Sequence, residues 1–160
     1  MQGTPSHVAN HVVMVEPEIA WNTGNAGRSC LALGAQLHLV GPLGFSLEEK
    51  RVRRAGLDYW THVAPRVHDD WARFEALLPS LGTPLFFSAE AERTLDEVDW
   101  SGPAVFLFGR ESVGFAPEIR ERYREQLVRL PMRDDRVRSL NVSTCVGIVL
   151  YEAARRSTSL

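Results

Sequence analysis

Three short segments of this chain concentrate side chains that hold ribose, phosphate or developing negative charge. The first, PEIAWNTGNAGRSC (17–30), places Asn22, Gly24, Asn25, Gly27 and Arg28 directly after an apolar run. Amide side chains hydrogen-bond to hydroxyls, glycines let the backbone approach a phosphate, and the planar guanidinium fork suits phosphate or an oxyanion. The second, FGRESVG (108–114), brackets Glu111 between Gly109 and Gly114. The third, RSLNVS (138–143), brings Arg138, Ser139, Asn141 and Ser143 to the mouth of a strongly apolar stretch. Each has an ordinary structural alternative: turn asparagines, a strand-ending glycine with a charged turn, and an N-cap. Three polar residues exceed what one N-cap needs. Arg28 also resists the structural alternative, because a helix beginning at RSCLALG sets its cation in the first turn, where the macrodipole disfavours it.

A strand, glycines and a helix start also suggest a dinucleotide or class I methyltransferase glycine loop. The details disagree. The glycines run Gly24-x-x-Gly27 rather than GxGxxG, and the next strand ends in LVGP with no Asp or Glu to hold a cofactor ribose. A nicotinamide or flavin protein is disfavoured on this ground.

The elements that must position these segments alternate in type. HVVMV (11–15) reads as a strand, RSCLALG as a helix ended by Gly34, and QLHLVGP as a strand stopped by Gly41 and Pro42. SLEEKRVRRAG reads as a helix from Ser46 to Gly56, and DDWARFEALLPSLG as one opened by Asp69 or Asp70. TPLFFSA and PAVFLFG are buried-strand candidates, APEIRERYREQ a helix with Pro117 in its first turn, LVRLPM a strand, and SLNVSTCVGIVLYEAARR the closing helix. The alternation predicts an α/β fold, a mainly parallel sheet flanked by helices, forming one domain over residues 11–160 after a flexible leader of residues 1–10. In such sheets ligands bind beyond the carboxyl ends of the strands, where all three segments fall.

With 160 residues, 44% of them hydrophobic, the chain is long enough to bury a core. No apolar run approaches the length of a membrane span, and MQGTPSHVAN lacks the basic and apolar regions of a secretory signal, so the cytoplasm is the expected compartment. Cys30 and Cys145 are isolated and expected to be buried thiols; neither a disulfide framework nor a metal site is expected. The net charge of −2 gives no global case for nucleic acid. Arginines nevertheless cluster at Arg51, Arg53 and Arg54 and again at Arg120, Arg122, Arg124, Arg129, Arg133, Arg136 and Arg138. Each cluster alone reads as a solvated face.

Taken together, the three segments resemble the three motifs of the SPOUT superfamily of S-adenosylmethionine-dependent RNA methyltransferases, in its 2′-O-ribose branch. They stand here as Asn22-x-Gly24-Asn25-x-x-Arg28, Phe108-Gly109-x-Glu111-x-x-Gly114 and Arg138-Ser139-Leu140-Asn141-x-Ser143. The likeness covers nearly the whole chain after residue 10. EPEIAWNTGN, KRVRRAGLDYW, LFGRES and LPM leading to RSLNVSTCVGIVLYEA are similar to the small, extension-free tRNA 2′-O-methyltransferases of the wobble nucleotide, cytidine or uridine 34, of certain leucine tRNAs. Ala20 and Trp21 stand where that group often has prolines, Arg110 where the second motif usually has proline, and VRSLN where SRSMN is commoner.

The resemblance implies an α/β knot fold whose C-terminal part, from about residue 84 to 151, forms a trefoil knot. It implies S-adenosylmethionine, without metal, held by Ser88, Gly109, Leu130 and Ser139. It assigns catalysis to Asn25, Arg28, Glu111 and Asn141, and RNA contact to Asn22, Arg28, Arg138 and Tyr151. Arg28 then binds the adjacent phosphate and stabilises developing alkoxide charge, since a guanidinium is almost never neutral at physiological pH. The proton leaves to phosphate, water or Glu111. Asn25 orients the ribose, and Asn141 or Ser143 the Arg28 segment. A homodimer with sites shared between subunits is implied, with tRNA as partner and no membrane. Tyr151 has a core alternative, and Trp21, Trp60, Trp71 and Trp100 offer either base stacking or packing. Two other functions compete: a catalytically idle RNA-binding or cofactor-sensing module on the same fold, and a methyltransferase for another tRNA or rRNA position. The joint presence of Arg28, Glu111, Ser139 and Asn141 favours the enzyme.

Overall fold

The computed structural model describes residues 9–48 and 59–157. The expected helix over 46–56 and the arginines at 51, 53 and 54 lie almost wholly outside the described residues, as do the first eight residues of the leader. The elements are β1 (His11–Val15), α1 (Ala20–Leu33), β2 (Gln36–Val40), α2 (Trp60–Val63), β3 (Arg66–His68), α3 (Trp71–Leu81), β4 (Thr83–Phe87), β5 (Ala104–Phe108), α4 (Pro117–Arg122), β6 (Leu127–Val128) and α5 (Val142–Arg156). Short 3-10 turns occupy Leu95–Glu97 and Arg124–Gln126. All strand pairs are parallel, in the order β3-β2-β1-β5-β4-β6.

Helices on both faces explain the composition of the central strands: every residue of AVFLF in β5 is buried. Because successive strand residues point to opposite faces, Val12, Met14, Leu39 and Phe106 pack beneath α1 and α5, while Val13, Val15, Val105 and Leu107 pack beneath α3 and α4. Asp70 caps α3 by accepting from Arg73 N at 2.9 Å, and Gly34 ends α1 in the left-handed conformation, both as the sequence predicts. LVRLPM contributes only two strand residues, with Arg129 adding an isolated bridge to Thr94, and APEIRERYREQ breaks after Arg122. The sequence reading passes over β3 and α2, which are too short to carry a periodic signal.

The largest correction concerns α1. The helix begins at Ala20, so NTGNAGR is not a loop: it fills the third to ninth positions of a helix of 14 residues. Gly24 and Gly27 are buried within it. A Cβ on Gly27 would lie 2.7 Å from Cζ3 of Trp60 and 3.2 Å from Val63 Cγ1, so this glycine lets α2 pack directly on α1 rather than admitting a phosphate. Arg28 consequently sits mid-helix. The macrodipole acts within the first turn only, so the electrostatic objection to Arg28 does not hold.

Candidate active site

The chain leaving β4, β5 and β6, together with the start of α5, surrounds a cleft of about 410 Å³. Ser88, Gly109, Leu130 and Ser139, the four residues expected around a cofactor, all line it, with Phe87 and Leu140 among its apolar walls. Their common position follows from the parallel sheet, which brings the carboxyl ends of adjacent strands to one edge.

Gly109 is fixed by the chain itself. Arg110 N donates to Gly114 O at 3.2 Å and Gly114 N to Arg110 O at 2.8 Å, closing a tight loop in which Gly114 has φ +71°. A Cβ on Gly109 would lie 2.5 Å from Gly114 C and Phe115 N. The sequence reading gives this glycine to a cofactor's approach; in the structure the loop's own closure already requires it.

That loop is locked to the start of α1. Glu111 accepts from Glu18 N (2.8 Å), Ile19 N (3.2 Å) and Asn22 Nδ2 (3.3 Å). Glu18 reciprocates by accepting from Ser112 N at 3.0 Å and Ser112 Oγ at 2.7 Å. Those hydrogen bonds from Ser112 hold the Glu18 carboxyl below its ordinary range. The other side of Asn22 meets the third segment, since Asn141 Nδ2 donates to Asn22 Oδ1 at 2.9 Å. Asn141 Oδ1 in turn accepts from Ser143 N (2.9 Å) and Ser143 Oγ (2.6 Å), capping α5. Glu111, Asn22 and Asn141 thus form one hydrogen-bonded chain through all three segments.

This chain bears on three expectations. Both Glu111 oxygens accept from donors of the α1 start, so the carboxylate, expected as one acceptor of the ribose proton, anchors that helix. Asn22, expected to contact RNA, is only 5% exposed, and both ends of its amide are hydrogen-bonded within the protein. Asn141, expected with Ser143 as an alternative to orient the Arg28 segment, does hold that segment through Asn22, while Ser143 donates to Asn141 at the α5 start.

Asn25 and Arg28 stand on the exposed side of α1, outside the cleft lining, three residues apart and therefore neighbours on the helix surface. The Arg28 guanidinium lies over the Tyr59 ring, 5.2 Å from its centroid. Arg138 is exposed and lines the cleft. Of the remaining arginines, Arg120 pairs with Glu90 (2.7 Å), Arg122 with Glu75 (3.1 Å), and Arg124 and Arg136 with Glu121 and Asp134. Among the described residues Arg133 and Arg138 have no carboxylate partner. Tyr151 is 60% exposed, which removes its core alternative, whereas Trp60, Trp71 and Trp100 pack against the core and only Trp21 is exposed. Cys30 is buried as expected, and burial pushes its thiol up to about 12. Cys145 is instead half-buried in the cleft wall, its thiol pushed up to about 11 by the same cause. Among the described residues no group of three His, Cys, Asp or Glu side chains could hold a metal ion, and no helix is long and apolar enough to cross a membrane.

Two features escape the sequence reading. Tyr59 carries no local sign that it meets Arg28. His11, His38 and His68, on three adjacent strands, form a chain: His11 Nδ1 lies 2.9 Å from His38 Nε2, and His38 Nδ1 3.0 Å from His68 Nε2. His38 is 1% exposed; burial first, then the neighbouring His11, His68 and Arg66, lowers its value from 6.5 to about 3. Histidine at the same-face positions of consecutive apolar runs was the available signal.

Comparison with known proteins matches residues 9–151 to the model of the SpoU rRNA Methylase family. A protein of Burkholderia pseudomallei named tRNA (cytidine(34)-2′-O)-methyltransferase is 44% identical over 154 residues, spanning 92% of this chain and 95% of its own. A solved structure described as giving structural insights into the 2-OH methylation of C/U34 on tRNA is similar at a TM-score of 0.88 and 42% identity, covering 95% of this chain and 98% of that one. The SpoU methyltransferase AviRb of Streptomyces viridochromogenes, solved with AdoMet, shares the fold at a TM-score of 0.79 and 22% identity over 98% of this chain and 60% of its own.

Proposed function

The chain belongs to the SpoU rRNA methylase family, and on that premise we propose that it transfers a methyl group from S-adenosylmethionine to the ribose 2′-hydroxyl of the tRNA wobble nucleotide, cytidine or uridine 34. The observation that carries this reading is the joining of three polar segments around one cleft by the Glu111–Asn22–Asn141 chain. It agrees with what the similar proteins are named for.

The cleft suits such a cofactor: its volume is that of a small-molecule site, its walls are mainly apolar, and Ser88, Ser139 and the backbone at Gly109 supply a few polar groups. When bound, S-adenosylmethionine supplies an electrophilic methyl on its sulfonium. Ser88, Gly109, Leu130 and Ser139 would hold it. Asn25 orients the ribose and Arg28 binds the neighbouring phosphate while stabilising charge that develops on the 2′-oxygen. Substrate phosphate or water takes the proton, because Glu111 is engaged in holding the α1 start. Asn141 fixes the geometry of the cleft wall, and Arg133 and Arg138 meet RNA phosphates.

The same reading includes leucine tRNAs as substrates, a C-terminal trefoil knot, and a homodimer working in the cytoplasm. Exposed Ile148 and Tyr151 on one side of α5 support the dimer as an apolar surface in need of cover. The test is to incubate the protein with S-adenosylmethionine and unmodified tRNA transcripts, then locate ribose methyl groups by mass spectrometry of nuclease fragments. One methyl at nucleotide 34 of leucine tRNAs is expected. Cofactor binding without transfer to any tRNA would favour the idle module, and transfer elsewhere would move the target.

A further inference from the structure

Arg28 is a long side chain at an exposed position in the middle of a helix. Such a side chain carries roughly 2 kcal/mol of rotamer entropy, and a guanidinium that must meet one phosphate cannot be left to search its rotamers. Neighbours on α1 do not hold it, and among the described residues no carboxylate pairs with it. What does meet it is the ring of Tyr59, whose centroid lies 5.2 Å from Cζ of Arg28, within the range of cation–π attraction.

We infer that Tyr59 is a positioning residue for Arg28, a platform that aims the guanidinium at substrate. The inference rests on the function proposed above. Three observations carry it. Tyr59 immediately precedes α2, and α2 is seated on α1 through Gly27, so close that a Cβ there would stand 2.7 Å from the Trp60 ring. Glycine costs about 1 kcal/mol relative to alanine inside a helix, and here that cost brings the platform within reach of the next residue along α1. Tyr59 is also half-buried against the core cluster that includes Val63, which holds its ring still while Arg28 remains exposed. Finally, a contact over the ring face does not engage the guanidinium with a carboxylate, whose oxygens would compete with a phosphate or alkoxide for its N–H donors.

The test keeps the shape of residue 59 and changes only its electrostatics. Tyr59→Phe and its analogues with one, two and three ring fluorines at that position progressively weaken the face potential with little change in volume. Single-turnover methyl transfer to tRNA should fall stepwise along the series, by about tenfold or more from Phe to the trifluoro ring, while affinity for S-adenosylhomocysteine and the thermal midpoint hold steady. Tyr59→Leu should lose at least as much rate. In an Arg28→Ala background the fluorine series should have no further effect, since the ring then has nothing to aim. Rates independent of fluorine count, or the same decline without Arg28, would overturn the inference. Full activity of Arg28→Ala alone would instead remove the function given to Arg28, a separate failure.

Discussion

Replacing Glu111 by glutamine separates an anchoring carboxylate from a proton acceptor. The carboxylate takes three hydrogen bonds, from Glu18 N, Ile19 N and Asn22 Nδ2, at the amino end of α1. A glutamine retains one oxygen and turns an NH2 group toward at least one of these donors. The charged bonds are worth about 1.5–3 kcal/mol each against about 0.5–1.5 for neutral ones, and a donor left facing another donor costs about 1–3 kcal/mol. Losing a negative charge at the helix start adds about 0.3–1 kcal/mol. Because the contacts are only partly buried, water takes up some of the loss, and a destabilisation of about 2–4 kcal/mol is expected. For a chain of this size that lowers Tm by roughly 6–12 °C. Calorimetry should also show weaker S-adenosylhomocysteine binding, since Asn22 and Asn141 line the cleft and are held through Glu111. Denaturant unfolding, calorimetry and single-turnover methyl transfer should therefore all change together. Unchanged stability and cofactor affinity with methyl transfer abolished would refute the anchor and restore Glu111 as the group that receives the proton.

Arg28→Ala should leave stability within about 0.5–1 kcal/mol of the parent, because an exposed mid-helix cation loses only its contact with Tyr59 while alanine favours the helix. Turnover should nevertheless drop about a hundredfold or more with cofactor affinity retained, as measured by single-turnover assay and calorimetry. Removing Arg133 and Arg138 together should flatten the log–log salt dependence of tRNA binding by roughly two units, and an unaltered slope would make them ordinary surface charges. The buried His38 has a folded-state value near 3 against 6.5 unfolded, so the unfolded chain binds more protons between those limits and stability is lost as pH falls through that window. Between pH 7.5 and 5 the loss from His38 is about 2 kcal/mol by denaturant titration, and His38→Gln should reduce that dependence.

What the sequence made legible was what local patterns encode. Runs such as HVVMV and AVFLF specify strands because both faces are buried, and Asp70 and Asn141 open helices with side chains only two or three residues from the groups they cap. The convergence of Ser88, Gly109, Leu130 and Ser139 on one cleft was accessible through the resemblance alone, since nothing in their spacing brings them together. The start of α1 was misread because its supports are remote. The backbone donors at Glu18 and Ile19 are met by a carboxylate more than ninety residues later, and Gly27 is explained by Trp60. A search for a neighbouring cap finds Asn22 and Asn25 and places the helix too late. Asn22 and Glu111 read as ligands for the same reason: polar residues in a supposed loop invite that reading, whereas at the helix start the two meet each other.

On the proposed function, an α1 continuous from Ala20 is the part that relates cofactor to substrate. Asn22 stands in the cleft wall and Arg28 outside it, and six residues of helix separate them by about 9 Å along the axis. A loop of that length would let Arg28 drift relative to the methyl donor, whereas a helix fixes both ends. That helix is held at its start by Glu111 and Asn141, and along its flank by α2 and α5, the latter close enough at Gly147 that a Cβ there would touch Ser29. Two groups on such a helix move as one body, so a perturbation at Glu111 displaces Arg28 as well as the cleft wall. A change at Glu111 is then expected to move cofactor affinity and transfer rate together, and a change at Tyr59, which touches the guanidinium and not the wall, the rate alone.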